Sequence, residues 1–145
     1  MARALAAEDK NLTTSIIGTR VRQYKDIDLS LAIKSDGDVY KKQDAAAVKQ
    51  AVRNLILTNK HEKPFAPNYG ADLRQQLFEL ITPGISSEIR SNIISAIQRY
   101  EPRAQIIALQ VKPIEGDNYI QVFLQFIVKN TAQQVDFRFT LSRLR

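Results

Sequence analysis

The sequence has no cysteine, and in 145 residues it has one histidine and one methionine. Without cysteine there are no disulfides and no thiolate metal sites, so the core must hold by packing alone. His61 is the only possible base for a Ser-His-Asp or Cys-His arrangement, and its neighbours Lys60, Glu62 and Lys63 mark a solvated loop. Zinc sites of Cys and His type fail on ligand count, and neither a glycine-rich phosphate loop nor an acidic calcium loop occurs. No apolar run is long enough to span a bilayer, and Met1 to Lys10 lacks the apolar segment of a secretory signal. A soluble protein, not secreted by that route and not bound to a membrane, is expected.

What is present suits one domain with one core: 44% of the residues are hydrophobic. The formal charge is +6, from 21 basic against 15 acidic side chains. The basic residues are scattered among acids, as in Arg20, Arg22 and Lys25 followed by Asp26 and Asp28. A solvated surface is therefore preferred to a nucleic-acid footprint. Glycoside hydrolysis needs only two carboxyls, but Glu79, Glu88, Glu101 and Asp117 share no motif, and caps and surface charges explain them.

Glycine and proline punctuate the chain. Ile27, Leu29, Leu31 and Ile33 alternate with polar or small residues, the period of a half-buried strand. Asp36-Gly37-Asp38 reads as a turn, with Val39 and Tyr40 returning as a short second strand. From Asp44, a plausible N-cap, Ala45, Val48, Val52, Leu55 and Ile56 fall at helical spacing. Two prolines make Lys60 to Gly70 irregular, and Asp72 then opens a short helix with Leu73, Leu77 and Phe78. Ser86 or Ser87 caps a third helix carrying Ile89, Ile93, Ala96, Ile97 and Tyr100 on one side, and Pro102 ends it.

Beyond Pro102 the period becomes two. Ile107, Leu109 and Val111 form one face of a strand, and Glu115 to Asn118 turn the chain. Ile120, Val122, Leu124, Phe126 and Val128 then alternate with Tyr119, Gln121, Phe123 and Gln125. After Asn130 to Gln133, Val135, Phe137, Phe139 and Leu141 alternate with Asp136, Arg138, Thr140 and Ser142. The expected fold is α+β: a short N-terminal hairpin, about three helices and a C-terminal antiparallel β-meander. Residues 1–25 read as an arm or extension, and 26–145 as a single domain.

An ordered series of short motifs carries a resemblance. It comprises Asp28-Leu29, Gly37-Asp38-Val39, Ala47-Val48-Lys49-Gln50, Asn54-Leu55-Ile56-Leu57-Thr58, Glu62-Lys63-Pro64-Phe65-Ala66-Pro67-Asn68-Tyr69-Gly70, Leu77-Phe78-Glu79, Ala96-Ile97 and Tyr100-Glu101-Pro102-Arg103. From about Asp26 to Leu141 the chain resembles the lysozyme-like baseplate wedge family of contractile-tail phages, which includes the E component of type VI secretion baseplates. The resemblance implies a non-enzymatic structural subunit with no cofactor and no small-molecule substrate. It would sit in several copies around the baseplate ring of the virion tail, assembled in the host cytoplasm. The implied partners are wedge core-bundle proteins, tube-proximal hub proteins and the tail sheath protein, whose assembly it would start.

Glu101, Pro102 and Arg103 match the family's Glu-Pro-Arg motif, which is associated with wedge contacts. The residues alone leave a second reading open, an internal ion pair at a helix exit. The family's Glu-Arg-Pro-Phe loop motif stands here as Glu62-Lys63-Pro64-Phe65, and lysine lacks the planar fork of arginine. Phe65 and Tyr69 are expected to be buried anchors of this loop. Val135, Phe137, Phe139, Thr140 and Leu141 lie on a strand with no proline, whose open edge would accept a strand from another chain unless the arm covers it. The alternatives are a type VI secretion baseplate component and an anti-adaptor-like regulatory binding protein; a basic nucleic-acid-binding module ranks behind them.

Overall fold

A computed structural model describes residues 23–77, 83–114 and 119–142. In chain order the elements are β1 (Lys25–Ile27), β2 (Lys41–Gln43), α1 (Asp44–Leu57), α2 (Leu73–Leu77), α3 (Pro83–Tyr100), β3 (Ala104–Ile114), β4 (Tyr119–Val128) and β5 (Gln133–Ser142). This is the α+β architecture that the periodicities predict. β3, β4 and β5 form an antiparallel meander in that order, and β1 pairs antiparallel with β2 as a separate two-stranded ribbon. The expected arm, as far as residue 22, lies outside the described residues, as do Phe78, Glu79 and the turn from Glu115 to Asn118. Among the described residues no helix is long and apolar enough to cross a membrane.

One face of the meander and the apolar stripes of α1 and α3 make the core. Ile120, Val122, Leu124, Phe126 and Val128 of β4 are almost fully buried, against Val48, Val52, Leu55 and Ile56 of α1 and Ile89, Ile93 and Ile97 of α3. Burial of each such side chain contributes about 1.5–3 kcal/mol. The register pairs Val122 with Phe139 and Leu124 with Phe137, so the apolar series of β5 turns inward while Asp136, Arg138, Thr140 and Ser142 face out. This alternation follows the sequence pattern residue for residue.

Five local expectations are corrected. Ile27, Leu29, Leu31 and Ile33 do not form a half-buried strand: all four are more than half exposed. The Asp28 carboxylate accepts from Ser30 N at 3.0 Å and Leu31 adopts φ 53°, so an Asx-type turn interrupts the extended chain after Ile27. Val39 and Tyr40 contribute only an isolated bridge, Val39 to Ile33, and the returning strand begins at Lys41.

Asp44 does not cap α1 from outside but is its first residue, at φ 44°; the N-cap position falls on Gln43, which makes no side-chain cap hydrogen bond. Asp44 Oδ1 accepts from Tyr24 N (3.1 Å) and Asn130 Nδ2 (2.8 Å), tying the N-terminal segment and the β4–β5 turn to the helix start. α3 starts at Pro83, a turn before Ser86 and Ser87; the fixed φ of proline suits a first helical position. Ile107 is about half exposed, because the pairing shifts between Ile106 and Ala108 and leaves Ile107 as the extra residue of a β-bulge. Leu109 and Val111 regain the inward face.

Candidate partner-binding surfaces

α3 ends where Pro102 forbids another turn, and Glu101 N still donates to Ile97 O at 2.9 Å. Glu101 is buried, Pro102 is exposed and Arg103 lies between these extremes. The Arg103 guanidinium meets the carboxylate edge to edge, with Nε donating to Oε1 and Nη2 to Oε2, the latter at 2.7 Å. Such bidentate, charge-assisted pairs are stronger than single neutral hydrogen bonds. That bond to Glu101 raises the guanidinium's already high pKa further. The same guanidinium lies 5.2 Å from the centre of the Tyr24 ring. The ion pair is thus internal, and it projects Pro102 from a braced corner.

The proline-rich loop packs beside this corner. Tyr69 meets Tyr100 with ring centroids 5.2 Å apart, and the Tyr100 hydroxyl donates to Asn68 O at 2.8 Å. Burial, and then the negative charge of Glu101, push the Tyr69 phenol above its ordinary pKa. Gly70 sits at φ 112°, and a Cβ there would lie 2.3 Å from Thr58 O, so the close return of the loop to the end of α1 requires glycine.

Within the loop motif, Glu62 Oε2 accepts from Asn59 N and Nδ2 at 2.8 and 3.2 Å, and Lys63 Nζ stands 4.2 Å from the Tyr69 ring centre. Pro64 is exposed. Phe65, expected to be a buried anchor, is fully exposed, because the chain turns outward at φ 61° on that residue and the anchoring falls to Tyr69. His61 is an exposed loop residue, as its neighbours imply.

β5 is one of the two outer strands of the meander, β3 being the other, and beyond β5 the described residues supply no further partner. Its outer face is pinned to β4 by Arg138 over the Phe123 ring (5.0 Å) and by Gln125 Nε2 donating to Asp136 Oδ1 at 2.9 Å. The β1–β2 ribbon is held to α1 by Gln50, a residue whose role the helical spacing did not reveal. Gln50 Nε2 donates to Ile27 O (2.8 Å), while its Oε1 accepts from Lys42 Nζ (2.8 Å) and Leu29 N (3.3 Å). Its only sequence signal is a long polar side chain within a buried helical stripe.

The four carboxyls considered for hydrolysis are not brought together. Glu101 is committed to Arg103, Glu88 is exposed on α3, and Glu79 and Asp117 lie outside the described residues. Among the described residues no group of three or more His, Cys, Asp or Glu stands close enough to hold a metal ion.

The family model described as baseplate wedge protein gp25 matches residues 42–134, from β2 into β5. The baseplate wedge protein gp25 of Enterobacteria phage T4 is 33% identical over 113 residues, which is 78% of this chain and 86% of that protein. The fold is shared with a chain of the anti-feeding prophage baseplate, at TM-score 0.60 and 20% identity, covering 81% of this chain and 84% of that one. A chain of the post-contraction pyocin R2 baseplate gives TM-score 0.54 at 17% identity, covering 83% and 99%. The chain therefore belongs to the baseplate wedge protein gp25 family.

Proposed function

We propose that this protein is a non-enzymatic subunit of a contractile-tail baseplate in the virion, present in several copies around the ring and assembled in the host cytoplasm. Its residues 26–145 act as one domain that links the wedge core bundle and the tube-proximal hub to the first layer of sheath. The edge of β5 that no described residue pairs is the observation that carries the sheath-initiating part. An antiparallel strand with one face in the core and one edge unpaired is a template for main-chain hydrogen bonding.

The corner at Glu101, Pro102 and Arg103 is the wedge contact in this reading. The ion pair fixes the backbone, Pro102 offers a rigid apolar tip, and the guanidinium donors not engaged by Glu101 are left for a partner acceptor. Exposed Pro64 and Phe65 add a second apolar projection, with Glu62 and Lys63 folding the loop behind it.

Reconstitution tests the proposal. Baseplates assembled without the protein should carry a tube but no sheath, and adding the purified protein should restore sheath growth. Sheaths of full length on baseplates that lack it would overturn the initiating role. Release of fragments from peptidoglycan by the purified protein, lost on Glu101→Gln, would overturn the non-enzymatic one.

A further inference from the structure

A groove of about 640 Å³ runs between the β1–β2 ribbon, the outward stripe of α1 and the sheet, where Phe137 of β5 lines it. Along α1 its wall is Ala46, Lys49, Arg53 and Leu57, spaced so that all four share one side of the helix. At 1.5 Å per residue this wall is roughly 17 Å long, the span of about five residues of extended chain. The lining also shows apolar surface: Leu29 and Leu57 are 58% and 47% exposed, although both are large apolar side chains.

The charges are not mixed. Lys42 is engaged by Asp28 Oδ1 at 3.1 Å and by Gln50, which satisfies the one acid in the wall. Lys49 and Arg53 are exposed and have no ion-pair partner among the described residues. A groove beside a strand edge that no described residue pairs, with Leu29 and Leu57 exposed in it and two cations that have no ion-pair partner among the described residues, is complementary to an acidic extended segment.

We infer that the groove receives an extended segment of a partner chain that pairs with β5 and sets apolar side chains against Leu29, Leu57 and Phe137 and carboxylates against Lys49 and Arg53. This rests on the reading of β5 as an augmented edge, and it adds the chemistry by which the incoming strand is selected. Main-chain pairing accepts many sequences, so the side-chain wall has to supply the discrimination.

The test uses two synthetic nine-residue probes in which threonine alternates with two valines and two glutamates, or with two valines and two lysines. Each is titrated onto the full-length protein while amide exchange of β5 and the side-chain resonances of Lys49 and Arg53 are followed. The glutamate probe should protect β5 amides and bind at least ten-fold more tightly than the lysine probe, and Lys49→Glu with Arg53→Glu should reverse that order. Equal affinity for both probes with β5 still protected would overturn the selection and leave the edge reading standing. Absence of β5 protection by either probe would overturn the edge reading itself. A glutamate preference that survives the double reversal would move the contact off this groove and overturn the inference.

Discussion

Arg103 donates to both carboxylate oxygens of Glu101 across Pro102, and that carboxylate is buried. The pair joins the end of α3 to the start of β3, and the backbone continues the connection, since Lys129 N donates to Arg103 O at 3.0 Å. These bonds fix the backbone on both sides of Pro102.

Removal of one partner should therefore register in the isolated protein. Arg103→Ala leaves a buried carboxylate without its fork and should lower stability by about 1–3 kcal/mol, as for other buried groups that lose a charged donor. Glu101→Gln keeps the shape and should cost less. Chemical denaturation checks both, and an Arg103→Ala protein as stable as wild type but defective in wedge assembly would assign the residue to partner contact alone.

Gly70 offers a cleaner stability test, because it touches no proposed interface. Gly70→Ala combines a strained φ, worth about 1–3 kcal/mol, with a Cβ driven into Thr58 O. The melting temperature should fall, with faster exchange of the amides in residues 58–70. An unchanged melting curve would mean that the loop is not held against the end of α1.

Tyr69 predicts a pH effect. Its phenol is raised above the ordinary value of 10.0, so the folded protein favours the neutral form. The stabilisation it contributes is fully present below pH 10 and is lost as pH rises through the raised value. Relative to Tyr69→Phe, the wild type should therefore lose stability on the alkaline side. Parallel stability curves for the two proteins between pH 8 and 11 would contradict this.

Helices and meander were legible because their apolar spacing serves one contiguous core. The stripes of α1 and α3 and the inward series Ile120 to Val128 and Val135 to Leu141 all follow from period alone. Pattern reading failed where apolar residues serve no core. Ile27, Leu29, Leu31 and Ile33 alternate like a strand but are covered by no second layer among the described residues, and Asp28 turns the chain among them. Phe65 looked like an anchor because aromatic residues are usually buried, whereas Tyr69, four residues on, takes that place.

The candidate sites divide in the same way. Glu101, Pro102 and Arg103 were found by motif, but the bidentate pairing and the Tyr24 contact depend on a fold that brings residue 24 to residue 103. Asp44 and Asn130, 86 residues apart, give no local signal of their bond. The bulge at Ile107 is likewise set by pairing with β4 and not by its own alternation.

The edge of β5 decides the central claim. Thr140 is exposed on the outer face opposite Gln121, and proline there removes a main-chain donor without touching the core series. The measurement is electron microscopy of sheath subunits added to baseplates carrying Thr140→Pro, with the variant first verified to melt near wild type. Baseplates that assemble but bear no sheath, or only short aberrant sheath, are the predicted result. Sheaths of normal length growing from the folded variant would contradict augmentation along β5.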